Sequence, residues 1–88
     1  MAIREARYVW MNGALLDWKE AKVHILTHAL QYGTAVFEGV RAYWSEGAIH
    51  IFRLEDHLAR LFNSAKTYFM EIPCTKQELR EAIIELLK

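Results

Sequence analysis

The stretch "LEDHLARLFNSAKTYF", Leu54 to Phe69, decides the fold because it carries the clearest helical pattern in the chain. Its apolar residues recur at the spacing of one face of an α-helix. These residues are Leu54, Leu58, Leu61, Phe62, Ala65, Tyr68 and Phe69. The spacing therefore predicts a helix over 54–69 that turns this face toward a core.

A second helix is predicted after Pro73. Thr75, with Glu78 three residues later, has the pattern of a capping box, in which each side chain bonds the other residue's backbone. The apolar residues that follow form a second stripe, namely Leu79, Ala82, Ile83, Leu86 and Leu87. No glycine or other stop signal precedes Lys88, so we expect the printed sequence to end inside a domain.

Two β-hairpins are predicted on the N-terminal side of these helices. Asn12-Gly13 favours a tight turn between β-prone runs, which predicts a hairpin over residues 7–18. A second hairpin is expected over Val40 to Trp44 and Ala48 to Phe52, with Gly47 in the left-handed position of its loop. Between the hairpins we expect an extended piece at 23–26 and a short helix capped by Thr27 and interrupted by Gly33. The fold class is therefore α+β: a small, mostly antiparallel sheet of two hairpins packed against two C-terminal helices.

Composition limits the function classes. The chain has 88 residues, and its eleven Lys and Arg residues balance eleven Asp and Glu residues, so neither nucleic acid nor a membrane surface is predicted as a partner. The apolar runs are too short to cross a bilayer. One cysteine, Cys74, fits a reducing cytoplasm and is read as a packed thiol rather than a nucleophile. His24 and His28 lack further ligands nearby, so no metal site is predicted.

One flank of the helix predicted from Leu54 is rich in hydrogen-bond donors. At 100° per residue, four side chains line up there, namely Arg53, His57, Arg60 and Ser64. Glu55 and Asp56 are expected to point elsewhere, so this donor seam is predicted to carry no neutralising acid. It suits a phosphate or a carboxylate, although the spacing alone favours an ordinary solvated flank.

The stretch "HALQYGTAVFEGVRAY", His28 to Tyr43, combines aromatic residues with two glycines. Gly33 and Gly39 allow another body to approach the backbone closely, and the aromatic rings give apolar walls. A pocket wall, an interface and a plain core segment are all compatible with this composition.

This stretch, preceded by "WKEAKVHILT" and followed by "RLEDHLARLFNSAKTY", closely resembles the N-terminal part of branched-chain amino acid aminotransferases, which are pyridoxal phosphate enzymes of fold type IV. The resemblance runs from about Tyr8 to Lys88. The related D-amino acid aminotransferases and aminodeoxychorismate lyases share the general pattern but usually lack "YGTAVFEGVR". The resemblance implies transfer of the amino group of branched-chain L-amino acids to 2-oxoglutarate, with pyridoxal 5'-phosphate as cofactor.

The resemblance also implies roles for individual residues. Arg60 matches the arginine that holds the cofactor phosphate. Phe37 matches a wall of the apolar substrate pocket, and Gly39 lies in the backbone that lines it. Tyr32 matches a tyrosine that reaches the pocket of the neighbouring subunit, and Arg41 is given a supporting role in substrate binding.

The family's Schiff-base lysine, and the acid beside its pyridine nitrogen, lie in a C-terminal domain that residues 1–88 do not contain. None of the lysines in the chain matches that lysine's context. Residues 1–88 are therefore predicted to be the N-terminal small domain, without catalytic residues of their own and inactive alone. The expected partners are an amino acid, a 2-oxo acid, the C-terminal domain and a second copy in a homo-oligomer. The rival hypothesis is a non-catalytic association module.

Overall fold

The computed structural model describes residues 4–88, so the first three residues of the predicted domain lie outside it. Two hairpins lead to two longer helices. In chain order the elements are β1 (Tyr8–Met11), β2 (Ala14–Asp17), a 3-10 helix (Trp18–Glu20), α1 (His28–Tyr32), β3 (Ala42–Ser45), β4 (Ala48–Ile51), α2 (Leu54–Thr67) and α3 (Lys76–Leu86).

The first hairpin has the predicted turn. β1 and β2 are antiparallel, with Tyr8 opposite Asp17 and Met11 opposite Ala14. Asn12 and Gly13 have φ values of 52° and 91°, the pair of positive angles that a two-residue turn needs to match the twist of its strands. The predicted hairpin over 7–18 is confirmed.

The second hairpin also closes through two residues. β3 and β4 pair with Ser45 opposite Ala48, and both Glu46 and Gly47 have positive φ, at 51° and 78°. Gly47 is left-handed as predicted, and Glu46 shares that conformation. The two hairpins form separate two-stranded sheets. The α+β class is confirmed, with two small sheets in place of one.

The segment between the hairpins is mostly irregular. The extended piece predicted at 23–26 is wrong, because the carbonyl and the Nδ1 atom of His24 accept hydrogen bonds from the N–H groups of Thr27 and Leu26, at 2.9 and 3.0 Å. These bonds fold the backbone into a local turn. α1 starts after Thr27, as predicted, although the Thr27 side chain makes no capping bond. Gly33 ends α1 with φ 68°.

The core lies on the inner face of α2. Leu54, Leu58 and Ala65 are the buried apolar residues of the described chain, at 7, 3 and 2% exposure. α3 packs against α2 and contacts β1. Its predicted capping box is confirmed, since the Glu78 N–H donates to Thr75 Oγ1 and the Thr75 N–H to Glu78 Oε1, both at 3.0 Å.

α2 ends two residues earlier than its apolar pattern predicts. The Met70 N–H donates to the Ala65 carbonyl at 2.8 Å and the Phe69 N–H to the Lys66 carbonyl at 3.0 Å, which is the Schellman arrangement of a helix end. Phe69 takes the left-handed φ of 57° that this turn requires. Tyr68 and Phe69, predicted on the core face, are 65 and 97% exposed because the chain turns away there.

Candidate functional site

Arg60 lies on the solvent-exposed flank of α2, where its side chain is 63% exposed. Its Nε donates to Glu38 Oε1 at 2.6 Å, and its Nη2 donates to Glu38 Oε2 at 2.7 Å. This is the two-point geometry that matches a guanidinium to a carboxylate. Nη1 makes no hydrogen bond to any of residues 4–88, so that end of the guanidinium is free to donate to another anion.

Glu38 comes from the irregular stretch that precedes β3, and its side chain is only 14% exposed. Besides Arg60 it contacts His57, whose Nδ1 lies 2.6 Å from Glu38 Oε2. Such a short separation fits an Nδ1–H that donates to a charged carboxylate. Arg60 Nη2 also lies 2.9 Å from the same His57 nitrogen. We call these three residues, Glu38, His57 and Arg60, the Glu38 cluster.

The contacts of the cluster keep its carboxylate charged. The hydrogen bond from Arg60, and then the hydrogen bond from His57, lower the pKa of Glu38 from 4.5 to about 2. The same hydrogen bond between the two side chains raises the pKa of Arg60. Near neutral pH this pair is therefore fully ionised.

The predicted acid-free donor seam is wrong in two respects. Glu38, brought by a different part of the chain, neutralises the part of the seam around His57 and Arg60. At the start of α2 Arg53 turns to Asp56, with Nε 2.7 Å from Oδ2. Helical spacing cannot reveal a partner from outside the helix. The available signal is one acid within the otherwise uncharged stretch "TAVFEGV".

The residues predicted to line a substrate pocket lie on open surface. Tyr32 and Phe37 are 75 and 90% exposed, and a Cβ placed on Gly39 would meet no atom within 4 Å. The Tyr32 ring packs against the His28 ring, with the two ring centroids 4.7 Å apart. Tyr32 and Phe37 are therefore not core residues of this chain, and the structure brings neither into an enclosed cavity with Arg60.

Arg41 is the last of the predicted site residues. Its carbonyl accepts from the Phe52 N–H at 2.9 Å, which extends the pairing of the second hairpin by one bond. Within residues 4–88 its side chain has neither an ion pair nor a hydrogen bond. Its position is thus fixed through the backbone.

A separate groove of about 850 Å³ lies between the first hairpin, α2 and α3. Trp10, Leu61 and Leu79 form apolar parts of its wall. Three carboxylates, Glu78, Glu81 and Glu85, also line it, and they disfavour a phosphate by repulsion. None of the predicted site residues lies in this groove.

Two further features are absent from residues 4–88. No group of three or more His, Cys, Asp or Glu side chains there is arranged to hold a metal ion. No helix of that part is both long and apolar enough to span a membrane.

Sequence comparison places the chain in a family. Residues 35–88 match the model of the amino-transferase class IV family. The branched-chain-amino-acid aminotransferase of Escherichia coli (strain K12) is 42% identical over 88 residues, which is 100% of this chain and 28% of that protein. Its counterpart in Pseudomonas aeruginosa is 49% identical over 74 residues, 84% of this chain and 24% of that protein.

Solved structures agree with the sequence comparison. The T.th. branched-chain amino acid aminotransferase, in complex with N-(5'-phosphopyridoxyl)-L-glutamate, superposes with a TM-score of 0.91 at 52% identity, over 94% of this chain and 28% of that one. The branched-chain aminotransferase of Thermoproteus uzoniensis with norvaline gives 0.86 at 46% identity, over 91% of this chain and 27% of that one.

The chain thus spans little more than a quarter of the length of these relatives. Residues 35–88, which match the family model, include the three residues of the Glu38 cluster and Phe37. The chain belongs to the class IV aminotransferase family.

Proposed function

We propose that this chain is the N-terminal small domain of a pyridoxal phosphate-dependent transaminase. Its reaction moves the amino group of branched-chain L-amino acids to 2-oxoglutarate. The family match and the names of the relatives support this reaction class. The T.th. enzyme with pyridoxamine 5'-phosphate, which has a TM-score of 0.91 to this chain, supports the cofactor.

The observation that carries the proposal is the free end of Arg60. Its guanidinium is held by Glu38 along the Nε–Nη2 edge, while Nη1 has no partner among the described residues. A group oriented in this way can donate to a phosphate oxygen without first losing its protein contacts. Arg60 therefore fits the phosphate of pyridoxal 5'-phosphate, as the family resemblance implies.

Once bound, the cofactor would supply the electron sink that makes the α-proton of an amino acid removable. The chain's own contribution is binding and exclusion of water. Arg60 would anchor the phosphate, while Phe37 and the Gly39 backbone would face the apolar side chain of the substrate. Tyr32 would reach the pocket of the neighbouring subunit. Arg41 would support this wall from the position just before β3.

The exposed apolar surface supports the proposed partners. In the segment between the hairpins Ile25, Leu26 and Phe37 are 72, 73 and 90% exposed, more apolar area than single scattered residues would show. The chain spans only 28% of the length of its Escherichia coli relative, so a longer protein would have further residues with which to cover that area. We propose a C-terminal domain and a second copy as the partners, and the cytoplasm as the location.

The decisive test is made in the full-length protein that carries this chain. We expect L-leucine with 2-oxoglutarate to be transaminated, and Arg60→Ala to weaken cofactor binding about 10- to 100-fold while the melting temperature changes little. Arg80→Ala is the matched control, because Arg80 also pairs with a glutamate, Glu55, at 2.5 Å but lies on α3. Equal cofactor affinity in the two variants would remove the role of Arg60.

Substrate panels separate the alternatives. Activity on D-alanine or on aminodeoxychorismate, without activity on L-leucine, would move the protein to the related enzymes. Stable self-association without cofactor binding would favour the association module.

A second experiment tests the expected inactivity of residues 1–88. We would incubate the chain with pyridoxal 5'-phosphate, reduce with borohydride and map the products. The expected result is scattered, substoichiometric labelling of lysines. One stoichiometric adduct would show that the chain holds its own Schiff-base lysine.

A further inference from the structure

We propose that Glu38 is the positioning residue of the pocket wall: its carboxylate ties the stretch 34–40 to α2, so that the flanking residues Phe37 and Gly39 face outward. The proposal deepens the proposed function and rests on it for the identity of the wall. We call the contacts of Glu38 with His57 and Arg60 the clamp. They lie within this chain and can be tested independently of the proposed function.

The stretch 34–40 depends on side chains for its position. It belongs to no helix or strand, and within the described chain it makes no backbone–backbone hydrogen bond. Its neighbours are anchored differently, since Gly33 closes α1 and the Arg41 carbonyl pairs with Phe52. A backbone of this kind has no hydrogen-bond ladder to hold its shape.

Glu38 supplies the missing anchor. Three of its contacts end on α2: two from Arg60 at 2.6 and 2.7 Å and one from His57 at 2.6 Å. His57 and Glu38 are only 17 and 14% exposed, so water competes weakly for this part of the cluster. α2 in turn is fixed by the buried Leu54, Leu58 and Ala65. The clamp therefore joins the irregular stretch to the helix that carries the buried core of the described chain.

Burial alternates along the stretch in the way this role requires. Val36 is half-buried, Phe37 is 90% exposed, and Glu38 is half-buried again. Phe37 and Glu38 are direct neighbours in the chain, and the first is exposed while the second is held against α2. A loosened Glu38 would therefore release the Phe37 side chain as well.

The clamp also explains why the carboxylate sits in a seam of donors. Arg60 alone needs no acid to hold a phosphate, and an acid beside it lowers the local positive charge. A tether needs a charged acceptor with two oxygens, which is what the ionised Glu38 provides.

The test uses Glu38→Gln in the full-length protein, with Glu46→Gln as the charge-matched control in the turn of the second hairpin. We expect Glu38→Gln to raise KM for L-leucine about tenfold, with a smaller change in kcat, because the wall is displaced while the chemistry is intact. The preference for leucine over alanine, measured as the ratio of their kcat/KM values, should fall in the same variant. A physical readout independent of activity is chymotryptic cleavage after Phe37, which should become several times faster.

His57→Gln is the second variant and keeps the proposal testable if Glu38→Gln folds poorly. It removes one of the three contacts, so we expect a smaller rise in KM and in cleavage. Combined with Glu38→Gln it should add little, because Glu38→Gln already disrupts the contact between residues 38 and 57 that His57→Gln removes. Full additivity would overturn the shared clamp.

The outcomes separate the clamp from the function. If Glu38→Gln leaves KM and cleavage after Phe37 unchanged while Arg60→Ala still weakens cofactor binding, the clamp is wrong and the function stands. Tighter cofactor binding in Glu38→Gln with unchanged KM would likewise overturn it, since Glu38 would then only compete with the phosphate. If no transaminase activity exists, unchanged cleavage would still refute the clamp and faster cleavage would still support it.

Discussion

The helix α2 buries apolar residues within the chain, whereas the segment 21–41 leaves large apolar residues exposed. In α2 Leu54 and Leu58 are 7 and 3% exposed, and α3 is closed by a complete capping box. In the segment 21–41 Leu26 and Phe37 are 73 and 90% exposed, and α1 has no side-chain cap. Within the chain itself, α2 buries apolar side chains and α3 has a side-chain cap. The segment 21–41 does neither, which is the pattern expected of a surface that contacts another body.

The largest expected effect tests the buried side of this comparison. Leu58→Ala removes a side chain that is 3% exposed and leaves a cavity under α2. We expect the free energy of unfolding to fall by about 3 kcal/mol. For a chain of 88 residues this is a large part of the total stability. Urea unfolding followed by circular dichroism measures it, and a loss below about 1 kcal/mol would show that α2 is not the core.

The next effect compares the two helix caps. Thr75→Ala removes the hydroxyl that accepts from the Glu78 N–H at 3.0 Å, and we expect it to cost about 1 kcal/mol. Thr27→Ala at the start of α1 removes no capping bond and should change stability by less than about 0.5 kcal/mol. Equal losses would erase the difference between the two regions. The measurement is again urea unfolding.

A smaller effect comes from pH, because the Glu38 cluster joins the two regions. The pKa of Glu38 is lowered from 4.5 to about 2, so its contribution to stability is complete above pH 4.5 and is lost as the pH falls toward 2. We expect the stability difference between the parent chain and Glu38→Gln to shrink across that window. Arg60 and His57 face the carboxylate, and Arg60 stays charged throughout. A constant difference down to pH 2 would contradict the lowered pKa.

The smallest effect concerns the exposed side. Leu26→Ala in the 88-residue chain should change the free energy of unfolding by less than about 0.5 kcal/mol, because the side chain is already 73% exposed. In the full-length protein the same change should cost clearly more, since the proposed partner surface would cover it. Thermal melting of both forms gives the comparison, and equal small losses would mean that Leu26 faces solvent in the assembly as well.

Local signals predicted most of the fold. The Asn12-Gly13 turn, the capping box of Thr75 and Glu78, and the Gly33 stop all lie within a few residues of the structure that they specify, and each is confirmed. The early end of α2 was missed because a left-handed Phe69 carries no mark in the sequence, unlike a glycine at the same place.

The site was harder to predict for a physical reason. Arg60 was found from its helix flank and from the family resemblance, but Glu38 lies 22 residues away and reaches it only through the path of the stretch 34–40. Periodicity describes neighbours on one element and is silent about partners from another. The exposure of Phe37 could not be predicted from composition either, because the stretch "HALQYGTAVFEGVRAY" is compatible with a pocket wall, an interface and a plain core segment.

The two-residue turns of both hairpins bear on how fast this chain acquires its structure. Every strand pairs with its immediate neighbour in sequence, and the helices need only local bonds to form. Contacts between residues close in sequence lose little chain entropy on closure, and domains built from them fold in about microseconds to milliseconds. We therefore expect β1 to β4 and the helices to form quickly, with the α2–α3 packing and the long reach of Glu38 as the later steps.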